Sequence, residues 1–251
     1  MILYEHPLSE RVRTWLRLEY LFDRLEQLLV RTSVLDHHYA LLTLFELIEV
    51  MGRADLKSDV LQDLTRQKNY YAGFRNNPTV SKTALDSVLA RMEQAFNALN
   101  AQRGKPGQEL TDSEWLMSVR RRAAMPAGAC GFDVPVYHAW LQQSATVRHR
   151  DLMQWANPFA PMAQAIALLL QLLRESGQPQ WVSAQNGQYV QVLALEKTYR
   201  LLRLRIDPAL DLIPEISAHR RAISINLTRR EADGKTHLVR ETVPLELSLC
   251  A

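Results

Sequence analysis

Cysteine is nearly absent from this 251-residue chain: Cys130 and Cys250 are the only two, 120 residues apart and outside any CxxC pair. Neither a disulfide scaffold nor a cysteine-built zinc site is expected, and a reducing cytosol fits. Glycine is scarce as well. Its nine residues are scattered, and neither G-x-x-x-x-G-K-[ST] nor G-x-G-x-x-G occurs, which argues against nucleotide binding by a standard phosphate loop. Long apolar runs are missing: the most hydrophobic stretch, residues 163–173 (AQAIALLLQLL), has two glutamines inside its 11 residues. Crossing a bilayer takes about 20, so this stretch reads as a buried helix. The first residues, MILYEHPLSERVRTW, show no basic-then-apolar signal region. The expectation is a soluble, cytoplasmic protein that does not engage a membrane. Lysine is the rare cation, with 6 Lys against 24 Arg, and the net charge is only +3. That excess is too small to imply nucleic acid. The arginine bias suits planar, bidentate contact with carboxylates, although a GC-rich genome produces the same bias.

What is present is ordinary globular material: 47% hydrophobic and 23% charged residues exclude wholesale disorder and coiled-coil fibres. Residues 2–6 (ILYEH) read as a short strand ended by Pro7. Ser9 then caps a helix with Val12, Trp15, Leu16, Phe22, Leu25 and Leu29 on one stripe. Further helices are expected over residues 39–51, 55–73 and 81–101. The next, at about residues 111–122, opens with a Thr111-x-x-Glu114 capping box. Another runs from Asp133, with Pro135 in its first turn, to near Gln143, and the buried helix stops at Gly177. The texture then changes to alternation. Residues 181–194 surround an Asn186-Gly187 pair, the strongest short hairpin signal. Residues 199–206 set Leu202, Leu204 and Ile206 against Arg203 and Arg205. Strands follow at 222–228 and, after an Asp233-Gly234 turn, at 238–249, where Pro244 suggests an edge or a bulge. The fold class is therefore α+β, a mainly helical domain over residues 1–175 followed by a small antiparallel β domain over 176–251. Residues 2–6 are free to return and pair with that sheet, because a lone strand cannot satisfy its own backbone.

Catalytic and metal patterns are weak. His37 and His38 are adjacent, so on a helix they point about 100° apart and do not readily share an ion. No H-E-x-x-H occurs. Cys130 sits in a Gly/Ala loop with His138 eight residues on, which permits a cysteine–histidine hydrolase only if the fold brings the pair together; a buried thiol beside a tight turn is the plainer account. Glu46 and Glu49 read as a solvated helix face. What remains is cationic surface: Arg13, Arg17 and Arg24 along the first helix, Arg120-Arg121-Arg122 closing another, and His219-Arg220-Arg221 before a strand. Each alone is ordinary solvated charge; convergence of the three clusters would make an anion-binding face.

Several segments together carry a resemblance. E-H-P-L-S-E-R-V-R-T-W-L-R-L-E (5–19), V-R-R-R-A-A-M-P-A-G-A-C-G-F-D-V-P-V-Y-H-A-W-L (119–141), N-P-F-A-P-M-A-Q-A-I (157–166) and L-I-P-E-I-S-A-H (212–219) resemble, in order, the ZapD family of bacterial cell-division proteins. The resemblance implies a non-enzymatic homodimer with a helical and a β domain and no cofactor or small-molecule substrate. It implies binding to the C-terminal tail of the tubulin-like GTPase FtsZ and crosslinking of FtsZ filaments at the mid-cell division ring. Carried over by position, the tail-binding residues are Arg17 with Arg13 one turn before it, Arg53, Arg120, Arg122 and His138. Two departures stand out. A family cation one turn upstream of the arginine run is Glu114 here. Family arginines of the strand after His219 are displaced to Arg220 and Arg221, with Asn226 at a later basic position. The alternative class is a basic nucleic-acid-binding module, for which Tyr70-Tyr71 among Arg66, Lys68 and Arg75 is the one patch with interleaved aromatics.

Overall fold

The structure is a computed structural model that describes residues 1–251 apart from Arg53, Ala54, Lys105, Leu195 and Arg220. It is α+β, helical in the N-terminal part and antiparallel β in the C-terminal part. In chain order the elements are β1 (Ile2–Pro7), α1 (Glu10–Leu29), α2 (Val34–Met51), α3 (Leu56–Ala72), α4 (Lys82–Ala101), α5 (Gln108–Thr111), α6 (Glu114–Ala123), α7 (Pro135–Leu141), α8 (Ala145–Ala156), α9 (Ala160–Glu175), β2 (Gln180–Ala184), β3 (Gln188–Val192), β4 (Leu201–Ile206), β5 (Ile213–His219), β6 (Ala222–Arg230), β7 (Thr236–Leu238) and β8 (Val243–Cys250). Two compact units emerge, one of residues 1–16 with 170–251, the other of residues 17–169.

The first unit holds two antiparallel sheets, ordered β1-β4-β8-β2 and β3-β6-β5, with β7 extending along β6. Alternation builds their common core: Leu202, Leu204 and Ile206 of β4, Ile223, Ile225 and Leu227 of β6, and Leu245 and Leu247 of β8 are buried together. As expected, β1 pairs with this sheet, running from Ile2 opposite Ile206 to Pro7 opposite Leu201. The pairing sets Glu5 against Arg203, and the Glu5 carboxylate accepts from Arg203 Nε at 2.9 Å and from Arg174 Nη2 at 2.6 Å. Burial alone would raise the Glu5 pKa; the two guanidiniums outweigh it and hold the carboxyl below its ordinary range.

The hairpin expected around Asn186-Gly187 does not form as a pair of strands. Both residues take positive φ, 51° and 72°, as a tight turn requires. The strands on either side then part: β2 pairs with β8 in one sheet and β3 with β6 in the other, and only a Gln185–Gln188 bridge joins them. Gly187 explains the departure. Its N–H donates to Glu241 O at 3.0 Å and its carbonyl accepts from Leu227 N at 2.7 Å, so the turn is captured by the neighbouring strands. A Cβ there would stand 2.1 Å from Val239 O. Pro244 lies in β8, which is interior, opposite Ser183 of β2; the β4 ladder ends at Glu246, so the missing N–H interrupts nothing on that side.

The second unit is all helical. Ser33 caps α2 by accepting from Asp36 N at 3.0 Å, so this helix begins five residues before the expected Tyr39. Ser81 caps α4 similarly. The Thr111–Glu114 capping box is not made: Thr111 closes α5, its hydroxyl donating to Gln108 O at 2.6 Å, and Ser113 stands at the N-cap of α6. Residues 145–175 make a run long and apolar enough to cross a membrane by length and composition. Phe159, Met162, Ala165 and Ile166 on it are at most 1% exposed, which places them in the core.

A cation lies inside this unit. Arg148, on the first turn of α8, is 4% exposed. Its guanidinium donates to Leu141 O at 3.1 Å, to Gln143 O and to Thr32 O at 3.0 Å, while Nε donates to His37 Nδ1 at 3.0 Å. The opposite nitrogen, His37 Nε2, donates to Arg31 O at 2.8 Å, so the imidazole is neutral and its tautomer set. Burial lowers the His37 pKa first; the Arg31 carbonyl and Asp36 pull it up, and Arg148 and His149 push it down, with a net decrease. The unfolded chain thus takes up this proton before the folded one. Stability supplied by the neutral ring is complete above the ordinary imidazole value of about 6.5 and is lost as pH falls toward the folded value. The helical unit should lose thermal stability between about pH 7 and pH 5. A His37→Asn variant, which offers Arg148 an acceptor that does not titrate, should flatten that slope at a constant cost of about 1 kcal/mol. Parallel slopes in calorimetric scans of the two proteins would assign the pH dependence elsewhere.

Candidate functional site

The arginines sort by what their donors already do. Arg24, grouped by spacing with Arg13 and Arg17, is committed: Nε donates to Thr43 Oγ1 at 3.0 Å and Nη2 to Glu46 at 2.5 Å. Arg148, Arg174 and Arg203 are likewise consumed internally. Arg17, one turn along α1 from Arg13, is exposed and makes no hydrogen bond or ion pair among the described residues. Arg13 is held by Glu10 at 3.1 Å, and after burial its charge depresses the His6 pKa.

The end of α6 and the loop into α7 form the most developed cationic corner. Arg120 faces Glu49 at 3.7 Å and Arg122 faces Asp133 at 3.8 Å, both beyond hydrogen-bond distance. Exposed pairs of this kind contribute only ~0–1 kcal/mol and leave the guanidinium forks open to an incoming carboxylate. Arg121 is exposed and unpaired among the described residues. The loop itself is tightly wound. Gly128 N donates to Met125 O at 3.0 Å across a turn that carries Pro126, with Ala127 at φ 54° where glycine is the ordinary occupant. A Cβ at Gly128 would lie 2.2 Å from Arg122 O, and one at Gly131 would lie 2.9 Å from His138 Nδ1. Small residues therefore let the loop close against both the arginine run and the histidine. His138, on α7, is exposed.

Aromatic packing fixes the helices that carry these groups. Tyr137 stacks on Trp140 at 5.8 Å, Trp140 and Trp115 each meet Trp155 at 5.5 Å, and Trp140 Nε1 donates to Asp151 at 3.1 Å. Tyr137 is fully buried, its hydroxyl 2.5 Å from His38 Nδ1, and burial pushes its pKa up. The structure thus gathers Arg120, Arg122 and His138 on one α6–loop–α7 segment.

Of the remaining expected residues, Arg221 lies in the first unit, and Arg53 and Arg220 lie outside the described residues. Arg221 borders a cavity of about 660 Å³ with Lys197, Tyr199 and His219 on its wall and Leu8 and Leu193 beneath. Lys197 was not anticipated; as an isolated lysine in a loop it carries no pattern. Among the described residues no group of His, Cys, Asp and Glu is arranged to hold a metal. Cys130 Sγ donates to Ala127 O at 2.8 Å, which makes the thiol part of the turn. In the Tyr70-Tyr71 patch, Arg66 is bound to Asp63 and Lys68 to Glu93, while Arg75 is exposed.

The family model for the cell division protein ZapD matches residues 16–226. A curated relative, "Cell division protein ZapD" of Janthinobacterium sp. (strain Marseille), is 47% identical over 251 residues, covering 100% of both chains. The matched span contains the α6–loop–α7 segment.

Because His138 rests on Gly131, a Gly131→Ala substitution should turn the imidazole without disturbing the tryptophan cluster behind it. In heteronuclear NMR the His138 ring signals should move while the Trp140 indole N–H stays. Unmoved imidazole signals would show that the ring does not depend on this contact.

Proposed function

The chain belongs to the ZapD family of cell division proteins, and from that premise we propose that it binds the acidic C-terminal tail of FtsZ and, as a homodimer, crosslinks FtsZ filaments into bundles at the mid-cell division ring. The role is non-enzymatic and cytoplasmic. Its strongest support is the run Arg120–Arg122, in which Arg121 is exposed and Arg120 and Arg122 hold only long ion pairs, while Arg24, Arg148, Arg174 and Arg203 are locked into internal hydrogen bonds. Arg17 adds a further open cation, and Arg13, Arg53, His138, Arg220 and Arg221 complete the proposed set.

The chemistry of such a site is simple. A disordered tail bearing carboxylates and apolar residues offers several weak contacts, none of them decisive: each exposed charge pair contributes ~0–1 kcal/mol. Two equivalent sites on a dimer convert the second contact into an intramolecular one, with avidity gains on the order of 100-fold where geometry permits. Bundling then depends on valency as much as on charge.

Charge reversal tests the assignment. Arg17→Glu and Arg120→Glu should each reduce co-sedimentation with FtsZ polymers while leaving the circular dichroism spectrum unchanged; full pelleting of both variants would remove these residues from the site. Bundling should also weaken steeply from low to moderate salt, since exposed pairs are screened over ~8–10 Å. Light scattering that ignores salt would point instead to an apolar interface.

A further inference from the structure

Phe132 is 83% exposed, the most exposed of the large apolar side chains among the described residues, and Val136 (64%) and Met125 (53%) stand open on the same loop and helix start. Exposed apolar side chains grouped on one short loop and helix start mark a candidate contact surface. This one is not on a slack segment. The next two residues are tied down, Asp133 N donating to Cys130 O at 3.0 Å and Val134 N to the same carbonyl at 3.1 Å, and Val134 is buried as a peg before Pro135 starts α7. The backbone therefore holds the ring outward. A cation stands beside the same loop: Arg122 faces Asp133, the residue next to Phe132, at 3.8 Å, and Arg121, its neighbour on α6, is exposed.

An exposed apolar side chain beside cations is complementary to a peptide that carries both carboxylates and apolar side chains, whereas a purely acidic segment would leave the ring uncovered. Building on the tail-binding reading above, we propose that Phe132 is the apolar anchor of the peptide site and determines its specificity. An aliphatic or aromatic side chain of the bound tail covers the ring, with Val136 and Met125 extending the contact, while Arg121 and Arg122 take the flanking carboxylates. Affinity then has two parts that respond differently to salt: the ionic part is screened, and the apolar part persists.

The test is a fluorescein-labelled synthetic FtsZ tail peptide, titrated by anisotropy into the full chain at about 50 and 300 mM salt. Phe132→Ala should weaken binding about tenfold at both salt concentrations, as truncation of a central aromatic contact does. Phe132→Leu should retain most of the affinity, and Arg120→Glu should matter far less at the higher salt. A tail peptide with its apolar residues replaced by serine should bind wild type and Phe132→Ala equally. Binding of the native peptide to Phe132→Ala within twofold of wild type at both salts would overturn the anchor while leaving the tail-binding reading intact. Failure of the wild-type chain to bind the peptide would overturn both. If Phe132→Ala instead lowers the mass found by analytical ultracentrifugation, the ring belongs to a contact between copies of this chain and the anchor assignment falls.

Discussion

A buried guanidinium with no carboxylate beside it holds the helical unit together. Arg148 spends its donors on the carbonyls of Thr32, Leu141 and Gln143 and on a neutral histidine, His37. An unpaired buried charge is expensive, and it is tolerated here because every contact is a hydrogen bond to a fixed dipole. The geometry follows from that requirement. The α1–α2 connection, the end of α7 and the start of α8 must all stay where their carbonyls can reach the same side chain. Displacing any of them leaves a guanidinium donor unsatisfied in the interior, which couples the three segments energetically.

The functional consequence runs through α7. Its C-terminal end is held by Arg148, its inner face by the Tyr137–Trp140–Trp155 packing, and its N-terminal approach by Gly131 against His138. A loop anchored at both ends can present side chains to solvent without paying for their ordering when a ligand arrives. The strained Ala127 fits this account, because a left-handed alanine persists only where its surroundings over-determine the turn. Arg120, Arg121, Arg122 and Phe132 are displayed on this frame.

Much of the fold could be read from the chain because its signals are local. Helical stripes, the Leu–Arg alternation of β4, the Asp233-Gly234 turn and the need of residues 2–6 for a partner all depend on neighbours within a few positions. The misreadings share one cause. Asn186-Gly187 does make its turn, but the strands beside it are claimed by β8 and β6, and strand choice is a matter of the whole sheet. Strand β5 escaped notice because Pro214, Glu215 and Ser217 blur its alternation. Thr111 looked like a cap because its spacing to Glu114 is right, yet Gly107 at φ 77° had already started a separate turn of helix. At the candidate site, the cationic residues were visible as letters, but their availability was not. Arg24 and Arg17 look alike in sequence, and only contacts from α2 show that one is occupied and the other open.

That difference decides how an arginine-rich chain with a net charge of only +3 distributes its cations. Many of its guanidiniums already meet a carboxylate where they sit, which weakens the long-range field and non-specific attraction to polyanions. Arg120, Arg121 and Arg122, whose guanidiniums make no short contact among the described residues, lie together at the end of α6 beside the loop. On the proposed function, recognition depends on local complementarity to a short segment bearing carboxylates and an apolar group, rather than on bulk charge. A disordered peptide bears the ordering cost of such an encounter alone, which keeps a single contact weak and reversible.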